Sequence, residues 1–231
     1  MVINFIKARV ISILKHFLNR NSYCDYLYFP FDISKPLPSS AVDVMKKGCG
    51  LLTSLGLDYC LADGTLLGVV RDNNLIPHDT DIDVTVMHPV DTKKIEKEFL
   101  KHGFKIGRKV IALNKAQQLV FYSPDKVVFD IIFYTKIGKH VYAFCENDFY
   151  LRHDSSNYEK FIPCVFKGYT FYIPFNAEVW LEHVYGVNWK TPKTSKPNDW
   201  REGRNEYITA VPYDGNVQAL NKKICREENG F

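Results

Sequence analysis

Hydrophobic and polar residues alternate strictly from Asp81 to Met87. Asp81, Asp83, Thr85 and Met87 fall on one side, and Ile82, Val84 and Val86 on the other. A period of two marks a β-strand. Elsewhere the period is helical. Ala41, Val44, Met45, Leu52 and Leu55 share one face of a helix that opens at Ser40–Asp43, which has the form of a capping box, and stops at Gly56. Leu57–Ala62 reads as a short buried strand. Gly64 breaks it, Thr65–Arg71 reads as a short helix, and Asn73-Asn74 as a turn. Asp91–His102 is a charged helix closed by Gly103. Gln118–Tyr122, Val127–Tyr134, Val141–Cys145 and Val165–Ile173 are further strand candidates, the last carrying Lys167-Gly168 as a hairpin turn. Phe175–Tyr185 is helical in pattern. Residues 21–38 are aromatic and Pro-containing and read as an ordered linker, whereas 187–231 turn polar and are expected to wrap the surface. The order of elements predicts an α+β fold with a mixed sheet flanked by helices.

The first twenty residues form a separate pattern. Ile3, Ile6, Val10, Ile13, Leu14 and Phe17 share one helical face, with Arg9, His16 and Arg20 gathered beside it. Lys7, Arg9 and Lys15 interrupt the apolar run of about 7–15 residues that a secretory signal needs. Nor does the chain contain the run of about 20 apolar residues that a spanning helix needs. An N-terminal amphipathic helix is expected, lying at a membrane surface or packed on the protein's own core or a partner.

With 231 residues, 46% of them hydrophobic, the chain can bury a full core. A net charge of +4, spread along the chain, gives no basic tract of the kind that tracks a polynucleotide, so no nucleic-acid partner is expected. The six cysteines contain no C-x-x-C pair, and Cys49 and Cys60 sit in apolar stretches that suit free buried thiols. The even count would also allow disulfides; a reducing, cytoplasmic location is the expectation, peripheral to the membrane if residues 1–20 dock there.

The candidate chemistry lies in residues 61–87. Asp81 and Asp83 are two apart in a strand, so both carboxylates point to the same side. Adjacent carboxylates repel, and a divalent cation such as Mg²⁺ or Mn²⁺ offsets that repulsion while preferring oxygen ligands. Such an ion can clamp a phosphoanhydride. Asp130 interrupts the otherwise apolar run Val127–Phe133 and is the candidate third ligand; pairing with a buried Arg would also explain it. Gly64 and Thr65 follow a strand and open a helix, where free N–H groups can hold phosphate. Arg71 can reach a phosphate or orient a carboxylate, or lie on the surface. Asp79 is a candidate outer carboxylate or a third acidic ligand, and His78 is either a proton carrier or an exposed loop residue.

Gly64-Thr65-Leu66-Leu67-Gly68, Arg71, Ile76-Pro77-His78-Asp79, Asp81 and Asp83 together resemble the core signature of the LicD/fukutin-related family. Tyr185-Gly186, Trp189 and Thr191-Pro192 are similar to its C-terminal element. The resemblance implies a polymerase-β-type nucleotidyltransferase fold over residues 39–195, preceded by the helix and linker of 1–38 and followed by a surface extension, 196–231. It implies transfer of a phospho-alcohol such as phosphocholine, phosphoribitol or phosphoglycerol from a CDP-activated donor to a sugar hydroxyl of a glycan or lipid-linked glycan, with release of CMP. It would make Asp81, Asp83 and Asp130 ligands of Mg²⁺ or Mn²⁺, and Gly64 and Thr65 the phosphate-contacting turn, with Arg71 nearby. The family commonly has Trp where this chain has His78, a departure that bears on the donor pocket. Two rival functions share the same residues: transfer of an NMP unit from an NTP, and a non-catalytic binding role on the same fold.

Overall fold

The computed structural model describes residues 22–26, 29–145, 149–192, 211–212 and 217–229. The expected N-terminal helix of residues 1–20 lies outside them, as does most of the expected C-terminal extension up to residue 210. In chain order the elements are β1 (Ser22–Tyr26), α1 (Ala41–Ser54), β2 (Tyr59–Leu61), α2 (Asp63–Leu67) and a π-helical turn (Gly68–Asp72). There follow β3 (Asp81–Met87), α3 (Thr92–Lys101), β4 (Lys105–Ala112), β5 (Lys115–Tyr122), β6 (Val128–Ile137), β7 (His140–Cys145) and β8 (Phe149–Asp154). A 3-10 turn (Ser155–Tyr158), β9 (Phe161–Phe166), β10 (Tyr169–Pro174), α4 (Ala177–Tyr185), β11 (Val211–Pro212) and α5 (Val217–Asn229) complete the series.

Among the described residues, strand β6 is the axis of a nine-stranded mixed sheet. On one edge it runs parallel to β3, with Asp83 opposite Asp130, and β3 pairs antiparallel with β2. Its other edge pairs antiparallel with β5, which leads on to β4 and β1, while Thr135–Ile137 continue into the β7–β8–β11 ladder. Strands β9 and β10 form a separate hairpin. It turns through Lys167 and Gly168, both at positive φ, as the sequence pattern predicts.

Register decides which face is core. Ile82, Val84 and Val86 share a face with Phe129, Ile131 and Phe133, all at most 1% exposed. Helices α1 and α3 cover that face. Phe99 of α3 stacks on Phe121 at 4.5 Å between ring centroids, and Phe129 and Phe104 complete the aromatic cluster. Helix α1 approaches so closely that a Cβ at Gly48 would fall 2.4 Å from the Phe129 ring. Each large apolar side chain buried this way stabilises the fold by about 1.5–3 kcal/mol. A one-residue slip of β3 would place its carboxylates in this layer, so the register is strongly specified.

Several local expectations need correction. Ser40 has helical backbone angles and makes no side-chain capping bond, so the expected capping box does not form; the working cap is Asp91, whose carboxylate accepts from the N–H groups of Lys93 and Lys94 and starts α3. The linker reading of 21–38 misses β1, because Ser22–Tyr26 completes the β4 edge. Strands β4 and β8 also go unanticipated. The polar tail contains α5, whose buried Ile224 packs with Ala112, Tyr142, Phe144 and Tyr150 in a second, smaller apolar cluster. Glu228 of α5 pins it to the β6–β7 hairpin by accepting from Tyr142 Oη at 2.7 Å and contacting His140 Nδ1 at 2.5 Å. Among the described residues no helix is long and apolar enough to cross a membrane. Cys49 and Cys60 are free, buried thiols.

Candidate functional site

The face of β3 and β6 opposite the aromatic layer carries Asp81, Asp83 and Asp130. Their carboxylate oxygens offer one ligand atom each, all within 4.8 Å of one another. Parallel pairing is what brings them together. It sets Asp83 beside Asp130 in register, and the two-residue period adds Asp81 to the same face. Asp130 is 7% exposed; Asp81 and Asp83 are half-buried and mark the open side.

Strand β2 delivers the glycine turn to this group. Its antiparallel ladder with β3 ends in a hydrogen bond from the Ala62 N–H to the Asp83 carbonyl, 3.0 Å, after which the chain turns into α2. The turn passes through Asp63 at φ +43°, a left-handed conformation that Asp tolerates better than most residues. The fully buried Thr65 hydroxyl accepts the Asp83 N–H at 2.9 Å, tying α2 to the ligand strand. Gly64 lies against Asp79, and a Cβ there would fall 2.6 Å from Asp79 Oδ2. The close approach that glycine permits is thus used, in this structure, by a carboxylate.

The electrostatics are those of a carboxylate cluster. Burial, reinforced by Asp81, Asp63, Asp79 and Asp130, holds the Asp83 carboxyl well above the usual range. Asp79 is pushed up to about 7 by burial first and then by Asp81. Asp130 rises to about 7, chiefly through burial, although the Arg108 charge and a hydrogen bond from Gln118 pull the other way. Two buried carboxylate oxygens, Asp79 Oδ2 and Asp130 Oδ1, have no hydrogen-bond partner among the described residues. Uncompensated buried carboxylates are costly, and a hard divalent cation is the partner that an all-oxygen donor set suits. The residues therefore fit Mg²⁺ or Mn²⁺.

Of the other residues singled out from the sequence, Arg71 orients a carboxylate, one of the roles expected for it. Its guanidinium forks onto neighbouring Asp72 at 2.7 and 2.8 Å, so the carboxylate it orients lies outside the triad. His78 is exposed in the loop before β3. Asp63 is a contributor that the sequence pattern does not single out, because nothing local distinguishes it from an ordinary turn aspartate. Its charge is nevertheless felt by Asp79, Asp83 and Asp130. Arg108 and Gln118 are likewise missed. Gln118 is 3% exposed and joins Arg108 to Asp130 through two hydrogen bonds of 2.6 Å. A polar residue in an apolar strand, as at Asp130, was the available signal.

Comparison with known proteins converges on one group. The ribitol-5-phosphate transferases FKTN of Macaca fascicularis and Homo sapiens are 26% and 25% identical to this chain over 164 residues, 70% of the chain and 35% of each relative. An uncharacterized protein of Rickettsia typhi is 30% identical over 125 residues, 52% of this chain and 40% of its own. The chain thus spans a little over a third of the length of these relatives. Among solved structures, a lincomycin-bound lincosamide antibiotic adenylyltransferase, LnuA, superposes with a TM-score of 0.44 and 13% identity, covering 64% of this chain and 87% of its own. That superposition is too loose to carry an argument. The family model for LicD/FKTN/FKRP, nucleotidyltransferase domain, matches residues 56–176, which include β2, the glycine turn, both carboxylate strands and the Arg108–Gln118 pair. A match over more than half of the sequence, centred on the three converging aspartates, establishes that this chain belongs to the LicD/FKTN/FKRP nucleotidyltransferase-domain family.

Proposed function

We propose that the chain is a divalent-cation-dependent phosphotransferase. It moves a phospho-alcohol, such as phosphocholine, phosphoribitol or phosphoglycerol, from a CDP-activated donor to a sugar hydroxyl of a glycan or lipid-linked glycan. The observation that carries this reading is the convergence of the Asp81, Asp83 and Asp130 carboxylates from two strands, with Asp130 Oδ1 buried and lacking a hydrogen-bond partner among the described residues. Family membership and the ribitol-5-phosphate transferase relatives support the transferred group.

In this reading Asp81, Asp83 and Asp130 hold Mg²⁺ or Mn²⁺, which supplies charge neutralisation at the donor pyrophosphate when bound. The protein's own contribution is position. Paired strands hold the three carboxylates, and the Thr65 hydroxyl holds the Asp83 backbone. The acceptor oxygen bonds to the phosphorus distal to cytidine as the bond from that phosphorus to the bridging oxygen breaks, and CMP departs with the bridging oxygen. Asp79 takes the hydroxyl proton: its Oδ1 accepts the Thr80 N–H at 3.1 Å, while Oδ2 has no partner. Asp130 suits that task less well, because its Oδ2 already accepts from Gln118. Contact of residues 1–20 with an anionic membrane would bring a lipid-linked acceptor close. Co-sedimentation of the chain with anionic vesicles, lost on deleting those residues, tests that part.

The central test is product analysis with CDP-ribitol, CDP-choline and CDP-glycerol, glycan acceptors and Mg²⁺. CMP release coupled to acceptor modification is expected, and Asp81→Ala and Asp83→Ala should nearly abolish it while the protein stays folded. Pyrophosphate release from an NTP would move the assignment to NMP transfer. Near-normal turnover in either folded variant would refute the site.

A further inference from the structure

We propose that Gln118, locked by Arg108, is a positioning residue that aims the third carboxylate at the cation. This inference rests on the metal reading of the triad. Gln118 is 3% exposed, and both ends of its amide are engaged. Its Oε1 accepts from Arg108 Nη2 at 2.6 Å, and its Nε2 donates to Asp130 Oδ2 at 2.6 Å. A guanidinium only donates, so the amide oxygen must face Arg108 and the amide N–H must face Asp130. The amide therefore has one orientation, and the carboxylate atom it meets must be an acceptor. With Oδ2 held in this way, Oδ1 is the remaining ligand atom, and it is the one that lacks a partner.

The relay crosses three adjacent strands. Arg108 on β4 lies opposite Val120 on β5, Val120 lies opposite Asp130 on β6, and Gln118 lies two residues before Val120. Such a ladder is stiff, so the carboxylate is aimed by backbone pairing and does not depend on a flexible loop. The neighbouring Gln117 serves a different purpose. It donates to the Ala112 carbonyl and accepts the Phe144 N–H, stitching β5 to β7. Two consecutive buried glutamines on one strand thus divide between the site and the scaffold.

The test is calorimetric titration of the full chain with Mn²⁺ alone, with fold checked by circular dichroism. The variants are Gln118→Met, Gln118→Glu, Arg108→Met, the Arg108→Met/Gln118→Met pair and Asp130→Asn. Loss of an outer partner of a ligand typically weakens metal binding about 10- to 100-fold, and that loss is expected for Gln118→Met. Gln118→Glu preserves shape and the Arg108 pair but presents an oxygen to Asp130, so it should weaken binding at least as much. A role limited to packing would leave it near wild type. Arg108→Met frees the amide to rotate and should weaken binding by a smaller factor. The double variant should be no worse than Gln118→Met, because the two act through one contact. Wild-type affinity in both folded Gln118 variants, with binding lost in Asp130→Asn, overturns the relay and leaves the metal site standing. Absence of Mn²⁺ binding by the wild type removes the metal reading itself.

Discussion

Replacing Asp130 with Asn should make the metal-free protein more stable, although it removes a ligand. Burial lifts the Asp130 carboxyl from an ordinary value of 3.8 to about 7. Between those two pH values the folded state binds more protons than the unfolded state, so stability falls as pH rises from about 4 to about 7. At about 1.4 kcal/mol per tenfold change, the full cost above pH 7 is about 4 kcal/mol. Asparagine is neutral at every pH, nearly isosteric, and can still accept from Gln118 Nε2. In excess EDTA at about pH 8, Asp130→Asn should therefore melt roughly 8 °C or more above wild type, taking about 2–4 °C per kcal/mol for a chain of this size. Near pH 4.5 the gap should shrink to about 1 kcal/mol, because the wild-type carboxyl is then largely protonated. At about pH 8, Mn²⁺ at a hundredfold excess over Kd adds about 2.7 kcal/mol to the wild type and little to the variant, so it should narrow the gap there by more than half. A thousandfold excess, which adds about 4.1 kcal/mol, should close it. Scanning fluorimetry across pH, with and without Mn²⁺, reads all of this. A variant that melts at or below wild type at pH 8 in EDTA, or a gap that does not narrow in acid, would refute the view of Asp130 as an uncompensated buried charge.

Other expectations are simpler. Gly48→Ala drives a methyl group into the Phe129 ring; overpacking of this kind costs about 1–3 kcal/mol, measurable by urea denaturation as a lower midpoint with an unchanged slope. Thr65→Val leaves the Asp83 N–H without its acceptor, at a cost of about 1–3 kcal/mol, while Thr65→Ser keeps the oxygen and should behave nearly as wild type in thermal melts and Mn²⁺ titrations. Glu228→Ala removes the acceptor for Tyr142 and His140; faster amide exchange confined to α5 and the β6–β7 hairpin is expected, with Mn²⁺ affinity unchanged.

How legible the site was depended on how local its signals are. Asp81 and Asp83 announce themselves because one strand carries both, and β3 has the bounds that its alternation predicts. Asp130 is visible as a charge in an apolar run, and the parallel pairing of β3 with β6 is what brings it to Asp83. Arg71 shows the opposite case: its motif position does not say which carboxylate it meets, and the structure pairs it with adjacent Asp72. Gln118 carries only the weak signal of a polar residue in an apolar strand, because a strand glutamine looks the same whether it meets water, a neighbouring backbone or a carboxylate. Strand β4 was missed because its pattern of burial is irregular, interrupted by two shifts in its pairing with β5.

Short-range pattern alone determined the α+β character, the carboxylate strand, the glycine turn and the presence of a third buried acid. Side-chain periodicity and the cost of burying charge act within a few residues or on a single residue. Tertiary structure decided everything that depends on contacts across the chain. It set Asp83 beside Asp130, placed Asp79 against Gly64, paired Arg71 with Asp72 and ran the Arg108–Gln118 relay to Asp130. Strand register and helix docking are collective choices, governed by how the aromatic layer packs beneath the sheet, and no local stretch of sequence contains them.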